Sequence, residues 1–459
     1  MKYLNLLFGI SLIAAGAIGG ACVTEEASDD GGEGGSGAGG PNPTTNILDD
    51  SEHLSQEEIE RRTYHLAGDE LQGRAPGSEG GLAARQFIID ELSACGVQSL
   101  DAAGFEQPIG LLPGAANILG YIPGTDDTLK ERYVMVSAHY DHLGAQVGTV
   151  YNGADDNAVG VAVSIAIGCA IAASPQPRSV IIANWDSEEP PNFLQDQMGS
   201  QYYADNPVVP LEQTDAVIVM DLVGGDLWPG FNNHQILGAE LSPQVQAAVD
   251  ASPVPEGLQF YQLGLHTVEE WPAAFGHQPW SDYDAFRMAG KPVLFLANAQ
   301  TVHYHEPTDT PDTLNYWKVA LEAKLLLRIV SRLANATETP VFEPVNAFEG
   351  STRDGRAFTG GGNFTRDAAM LATVLEMAVA PGGMVESLGL GATSRTKLEG
   401  DLAETQAIHA RMEAGEALVH GSPEVRRLRD AAQRLMCLGH SKAPGAQFKE
   451  ADCNLLGSL

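Results

Sequence analysis

Basic residues are scarce in this 459-residue chain. Lys and Arg number 26 against 60 Asp and Glu, a formal charge of -34. Phosphate recognition needs a cationic face, so a nucleic-acid partner is excluded. Docking on an anionic membrane through protein charge is excluded for the same reason. Cysteine is scarce as well. There are five, with no CxxC pair, so zinc held by thiolates has no support. Hydrophobic residues still make up 44%, enough for a sizeable core and against global disorder. The length suggests two or three domains.

The apolar run at residues 6–18 is too short to span a bilayer. Behind Met1-Lys2 and ahead of a small-residue exit, it reads as a secretory signal. The exit Ile18-Gly19-Gly20-Ala21-Cys22 resembles the bacterial lipoprotein cleavage box. That resemblance implies a lipoprotein-type signal peptide at residues 1–22 and a lipid anchor at Cys22, the only membrane attachment expected. The chain is then exported and held at the cell envelope or in the periplasm, with plain secretion the alternative. Residues 23–54 form a Gly-rich acidic linker, too poor in apolar side chains to offset its ordering entropy. Cys95 and Cys169 lie in apolar helix-like stretches and read as buried free thiols. Cys437 and Cys453 flank a Gly/Pro loop and suit a disulfide in an oxidising compartment.

Beyond the linker, strand-like and helix-like patterns alternate. Runs at 133–137, 179–184, 216–220 and 292–296 read as buried strands. Residues 158–173 read as a buried helix, and 80–94, 242–251, 282–289 and 316–333 as further helices. This alternation argues for an α/β layered fold with a largely parallel sheet. Ligands of such sheets collect at the carboxyl ends of the strands. Polar residues fall there repeatedly: His139, Asp141 and His142 after one strand, Glu188 and Glu189 after the next, Asp221 after a third. His303 and His305 follow the last, and Asp155-Asp156-Asn157 directly precedes a helix. Residues 340–363 look loop-like, and helical patterns at 367–378, 397–414 and 423–438 form a C-terminal helical appendage in which no chemistry is evident.

Imidazole and carboxylate are ligands that zinc accepts. A two-metal site needs about five protein ligands, one carboxylate bridging ions roughly 3.5–4 Å apart. His139, Asp155, Glu189, Asp221 and His305 supply that inventory from five loops. The Glu188-Glu189 pair follows an apolar strand directly, where charge is costly unless paired.

The sequence resembles the M28 family of zinc-dependent peptidases, the co-catalytic dizinc aminopeptidase group. The matching stretches are Ser137-Ala138-His139-Tyr140-Asp141-His142-Leu143-Gly144, Gly153-Ala154-Asp155-Asp156-Asn157, Ser187-Glu188-Glu189, Met220-Asp221 and Tyr304-His305-Glu306-Pro307-Thr308-Asp309-Thr310. Upstream, Gly73-Arg74-Ala75-Pro76-Gly77-Ser78 also fits. The resemblance implies a three-layer α/β/α fold with a mixed, mostly parallel central sheet, a catalytic domain at residues 55–338, and a loop-plus-helix region at 339–459.

It also implies two zinc ions. Asp155 would bridge them, His139 and Asp221 would complete one site, and Glu189 and His305 the other. Asp141 would stand behind His139, and Glu188 would be the general base acting on the attacking water. The Asp155-Asp156 bond would be cis. His142 and His303 compete with His139 and His305, and would line the pocket instead. Tyr283 replaces the His of the family's Ser-Asp-His; a structural role is favoured over an oxyanion donor. The reaction implied is removal of N-terminal residues from peptide substrates. A same-fold glutaminyl cyclase or carboxypeptidase is the second reading, and a non-catalytic surface binding protein the third.

Overall fold

The computed structural model describes residues 49, 51–110, 112–269, 278–298, 300–352, 355–446 and 448–457. The expected signal peptide, the lipid site at Cys22 and the linker to residue 48 lie outside the described residues. The last residues assigned to that linker already belong to the fold. Leu54 is buried in the turn Glu52–Leu54, and Asp49 pairs with Arg328 at 2.6 Å.

Strands β1 (Gln98–Ser99), β2 (Glu106–Pro108), β3 (Ala116–Ile122), β4 (Tyr133–His139), β5 (Ala145–Gln146) and β6 (Thr149–Val150) come first. Then follow β7 (Ser179–Trp185), β8 (Thr214–Met220), β9 (Asn233–Leu237), β10 (Gln259–Leu263), β11 (Val293–Ala297), β12 (Phe348–Ser351) and β13 (Ala357–Gly360). The main sheet runs β1-β3-β7-β4-β8-β11-β9-β10, with β2 also beside β3. Its four central strands, β7, β4, β8 and β11, are mutually parallel. β3 flanks them antiparallel on one side and β9 on the other. All four central strands are buried along their whole length, as expected when helices cover both faces.

Alternate residues serve two cores. Val134, Val136, Ile182, Ile218 and Leu294 pack with the helices Gln56–Leu66, Glu79–Ala94, Val159–Ala173 and Tyr316–Asn335. Met135, Ile181, Val217 and Phe295 share the opposite core with Leu371, Leu375, Leu428 and Leu435 of the helices Phe364–Val379 and Pro423–His440. The architecture is therefore three-layered α/β/α. The C-terminal helices extend the second core rather than hanging from it.

The stretch Ala154–Ala173 is long and apolar enough to cross a membrane, but 89% of it is buried inside the fold. It is a core helix that connects β4 to its parallel neighbour β7. Cys95 and Cys169, expected as free thiols, form a disulfide with Cα atoms 5.2 Å apart. A separation of 74 residues hid that pairing, and helix packing creates it. The expected Cys437–Cys453 disulfide is present.

Candidate metal centre

In the main sheet β4 lies between β7, the next of its strands along the chain, on one side and β8, the one after, on the other. This is the topological switch where a crevice opens at the strand ends. His139 ends β4, Glu188 and Glu189 follow β7, Asp221 follows β8, and His305 lies in the loop after β11.

The structure brings these side chains together around one carboxylate, and that carboxylate is Asp156. His139 Nε2 lies 3.2 Å from Asp156 Oδ1 and 3.5 Å from Asp221 Oδ1. His305 Nε2 lies 3.1 Å from Asp156 Oδ2 and 3.2 Å from Glu189 Oε2. Glu188 Oε2 is 3.9 Å from His139 Nε2. Among the described residues, two groups have the geometry to hold a metal ion: His139, Asp156 and Asp221, and His142, Asp156 and Glu189.

Asp155, expected at the centre, points elsewhere. Its Oδ1 accepts from the amides of Gly224 at 2.7 Å and Gly225 at 3.1 Å. The correction has a physical cause. The Gly224-Gly225 pair has no side chains, and a Cβ on either would crowd the Asp155 carboxylate. That glycine pair was the signal in the sequence that separates the two aspartates. The cis bond joins Asp156 to Asn157, one residue beyond its expected place.

His142 is closer to the centre than a pocket-lining role implies. Its Nδ1 is 2.6 Å from Glu189 Oε1. His303 instead meets Thr308 Oγ1 at 3.0 Å. Tyr283 donates to Glu269 in a cluster with Arg287, and its hydroxyl accepts from the Trp280 amide, so its role is structural.

The surrounding groups fix these positions. Asp141 accepts from the amides of Glu188 (3.0 Å) and Glu189 (3.2 Å), and so orients both acids at once. His139 Nδ1 donates to the Asp141 carbonyl at 3.2 Å, so Nε2 is the ring atom turned toward the cage. Ser281 Oγ donates to Asp221 at 2.8 Å. Two contributors were not singled out from the sequence. Asp309 accepts from the amides of Asp155 and Asp156 at 2.9 and 3.1 Å. Arg74 is buried and donates to the carbonyls of Leu66, Tyr140, Asn152 and Gly153; burial lowers its pKa to about 10. Arg74 and Asp309 both lie within stretches that resemble the family, but their partners lie on distant loops.

Backbone conformation adds to the picture. Ser187, Leu222 and His305 all have left-handed φ, at 64°, 55° and 55°. Each lines the cage or neighbours a residue that does, and such strain concentrates at sites. Gly153 (φ 59°) is required at its place, since a Cβ there would enter the His142 ring and the Asp156 carbonyl.

Charge in the cage is unbalanced. Burial alone would lower His139 and His305. The carboxylates around them hold His139 well above its usual range and raise His305 to about 10. Burial alone would raise Asp156, but hydrogen bonds from His139 and His305 hold it well below the ordinary carboxylate range. Glu188 is pushed well above its ordinary value by burial. The cage therefore favours positive charge at its centre. His142 Nε2, buried beside the cage, also has no hydrogen-bond partner. Buried polar atoms are seldom left so, and convergent imidazole and carboxylate atoms are a donor set suited to zinc.

Residues 117–330 match the model of peptidase family M28. A curated relative, an uncharacterized protein YfbL of Escherichia coli K12, is 26% identical over 214 residues. That alignment covers 41% of this chain and 62% of the relative's length. Among solved structures, the chain is similar to LapB of Legionella pneumophila (TM-score 0.50, 16% identity, 64% of this chain, 75% of that one). It is also similar to the LapA aminopeptidase of the same organism (TM-score 0.51, 13% identity, 68% and 81%). At these identities the structural likeness speaks for the fold.

Proposed function

We propose that this chain, whose residues 117–330 match peptidase family M28, is a zinc-dependent exopeptidase that removes N-terminal residues from peptides. The observation that carries this reading is the convergence of His139, Asp156, Asp221, Glu189 and His305 on one buried point. His139 and Asp221 would hold one zinc ion, Glu189 and His305 the other, with Asp156 shared between them and His142 against the second group. Zinc there supplies Lewis acidity, polarising the scissile carbonyl and making water acidic near neutral pH.

Glu188 is the general base. It adjoins a ligand in sequence, belongs to neither ligand group, and its carboxylate faces His139 across the cage. A carboxyl pushed upward by burial is a stronger base than a solvated one. It takes a proton from the attacking water and returns it to the departing amine. Asp141 sets its position through the Glu188 amide. Two disulfides support an oxidising compartment, in keeping with export and an anchor at Cys22.

Glu188→Gln tests the assignment, since it keeps shape and removes the base. Turnover should fall by at least ~100-fold, while bound zinc per chain stays at the wild-type level. Loss of zinc in that variant, or retained turnover, would count against Glu188 as the base.

A further inference from the structure

The family match ends at residue 330, yet the helix Pro423–His440 ends against two loops of the metal centre. His440 closes that helix and is 7% exposed. Its Nδ1 donates to the Thr301 carbonyl at 3.1 Å. Its ring meets Tyr304 edge-on at 6.1 Å between centroids, and Tyr304 stacks on His305 at 3.9 Å. Beyond the helix, the Gly445 amide donates to Glu306 Oε1 at 2.6 Å. Thr301, Tyr304 and Glu306, which bracket His305, are thus all held from the C-terminal region. One residue before His440, Gly439 packs so closely on Leu227 that a Cβ would displace the Leu227 side chain. Leu227 belongs to the loop that follows Asp221.

The His305 loop needs outside support. The described residues 300–310 form turns without strand pairing, and His305 itself has left-handed φ, a conformation that costs about 1–2 kcal/mol. Such a conformation persists only where its surroundings over-determine it.

We propose that the end of the helix Pro423–His440 is a positioning element of the metal centre: through His440 and Gly445 it fixes the loop that carries His305 toward Asp156 and Glu189. This rests on reading that centre as a zinc site. The consequence is that the C-terminal region, which the sequence left without chemistry, acts on the site through His305.

The test uses the full chain, with zinc affinity measured by competition with a chromophoric chelator and melting measured on the metal-free protein. His440→Leu removes the donor and keeps bulk; His440→Asn restores an N–H near the Nδ1 position. His440→Leu should weaken zinc binding about 10-fold or more, the scale seen when a ligand's supporting partner is lost. His440→Asn should recover most of that loss, and metal-free melting should not move. If His440→Leu fails to fold, Glu306→Ala cuts the second tie from a half-buried side chain and should weaken zinc binding in the same direction, with Glu306→Gln restoring it. Wild-type affinity in folded His440→Leu or in Glu306→Ala would overturn the proposal, as would weakening that only follows a drop in metal-free melting. A wild-type chain that takes up no zinc would overturn the metal reading as well, so the two failures are distinguishable.

Discussion

At the scale of single residues, two adjacent aspartates divide the work between them. Asp156 stands ionised between two imidazoles. Asp155 is pushed well above the ordinary carboxylate range by burial and by Asp309, and its Oδ1 rests on two backbone amides. An amide can replace a neutral carboxyl that only accepts, but not an anion shared by two ligand groups. Asp155→Asn should therefore keep zinc affinity within a few-fold of wild type, while Asp156→Asn should lose it by at least ~100-fold; chelator competition on both variants checks this. The reverse order would restore the sequence-based assignment of Asp155.

A second residue-scale expectation concerns Glu240. It is buried and accepts from the Leu265 amide at 2.9 Å. Burial raises its pKa to about 7. A carboxyl raised on folding contributes stability that is fully present below its unfolded value near 4.5 and is lost as pH rises through 7. Glu240→Gln should flatten stability between pH 4.5 and 7 by up to about 3 kcal/mol, measured by urea unfolding at several pH values. An unchanged pH profile would show that Glu240 is not the titrating group.

At the scale of elements, what the sequence made legible follows burial. The four central strands are built mostly of Val, Ile, Leu, Met, Phe and Ala, and all were expected within a residue or two of their observed ends. β9 was not, because Asn233-His234-Gln235 are polar although the whole strand is buried. β12 and β13 fell in a Gly-rich stretch that looks like loop, and their pairing lends it order. In the site, the residue types and strand ends were readable. The choice between Asp155 and Asp156 depended on which faces Gly224 and Gly225, a contact between loops 69 and 70 residues apart. The Cys95–Cys169 disulfide was missed for the same reason. It ties the helix Val159–Ala173 to the residue just after Glu79–Ala94 and closes a loop of about 75 residues, so its loss should free the unfolded chain. Replacing both cysteines with Ala should lower unfolding stability by about 3–4 kcal/mol in guanidinium titrations. A change below about 0.5 kcal/mol would show that packing alone holds those helices.

At the scale of the whole molecule, scarcity of basic residues acquires a second meaning. A chain of charge -34 repels itself at the surface, but several of its acids are buried in one cage, where cations would offset them. The fold gathers that cage from the ends of four parallel strands, and the C-terminal helices close a common core behind it. The measurement that tests the account most directly is turnover of a panel of short peptides, with free and with blocked N-termini, before and after a chelator. The account predicts cleavage at free N-termini only, abolished by the chelator and restored by added zinc. Cleavage of blocked peptides alone, cyclisation of an N-terminal Gln without hydrolysis, or turnover that survives complete metal removal would contradict it.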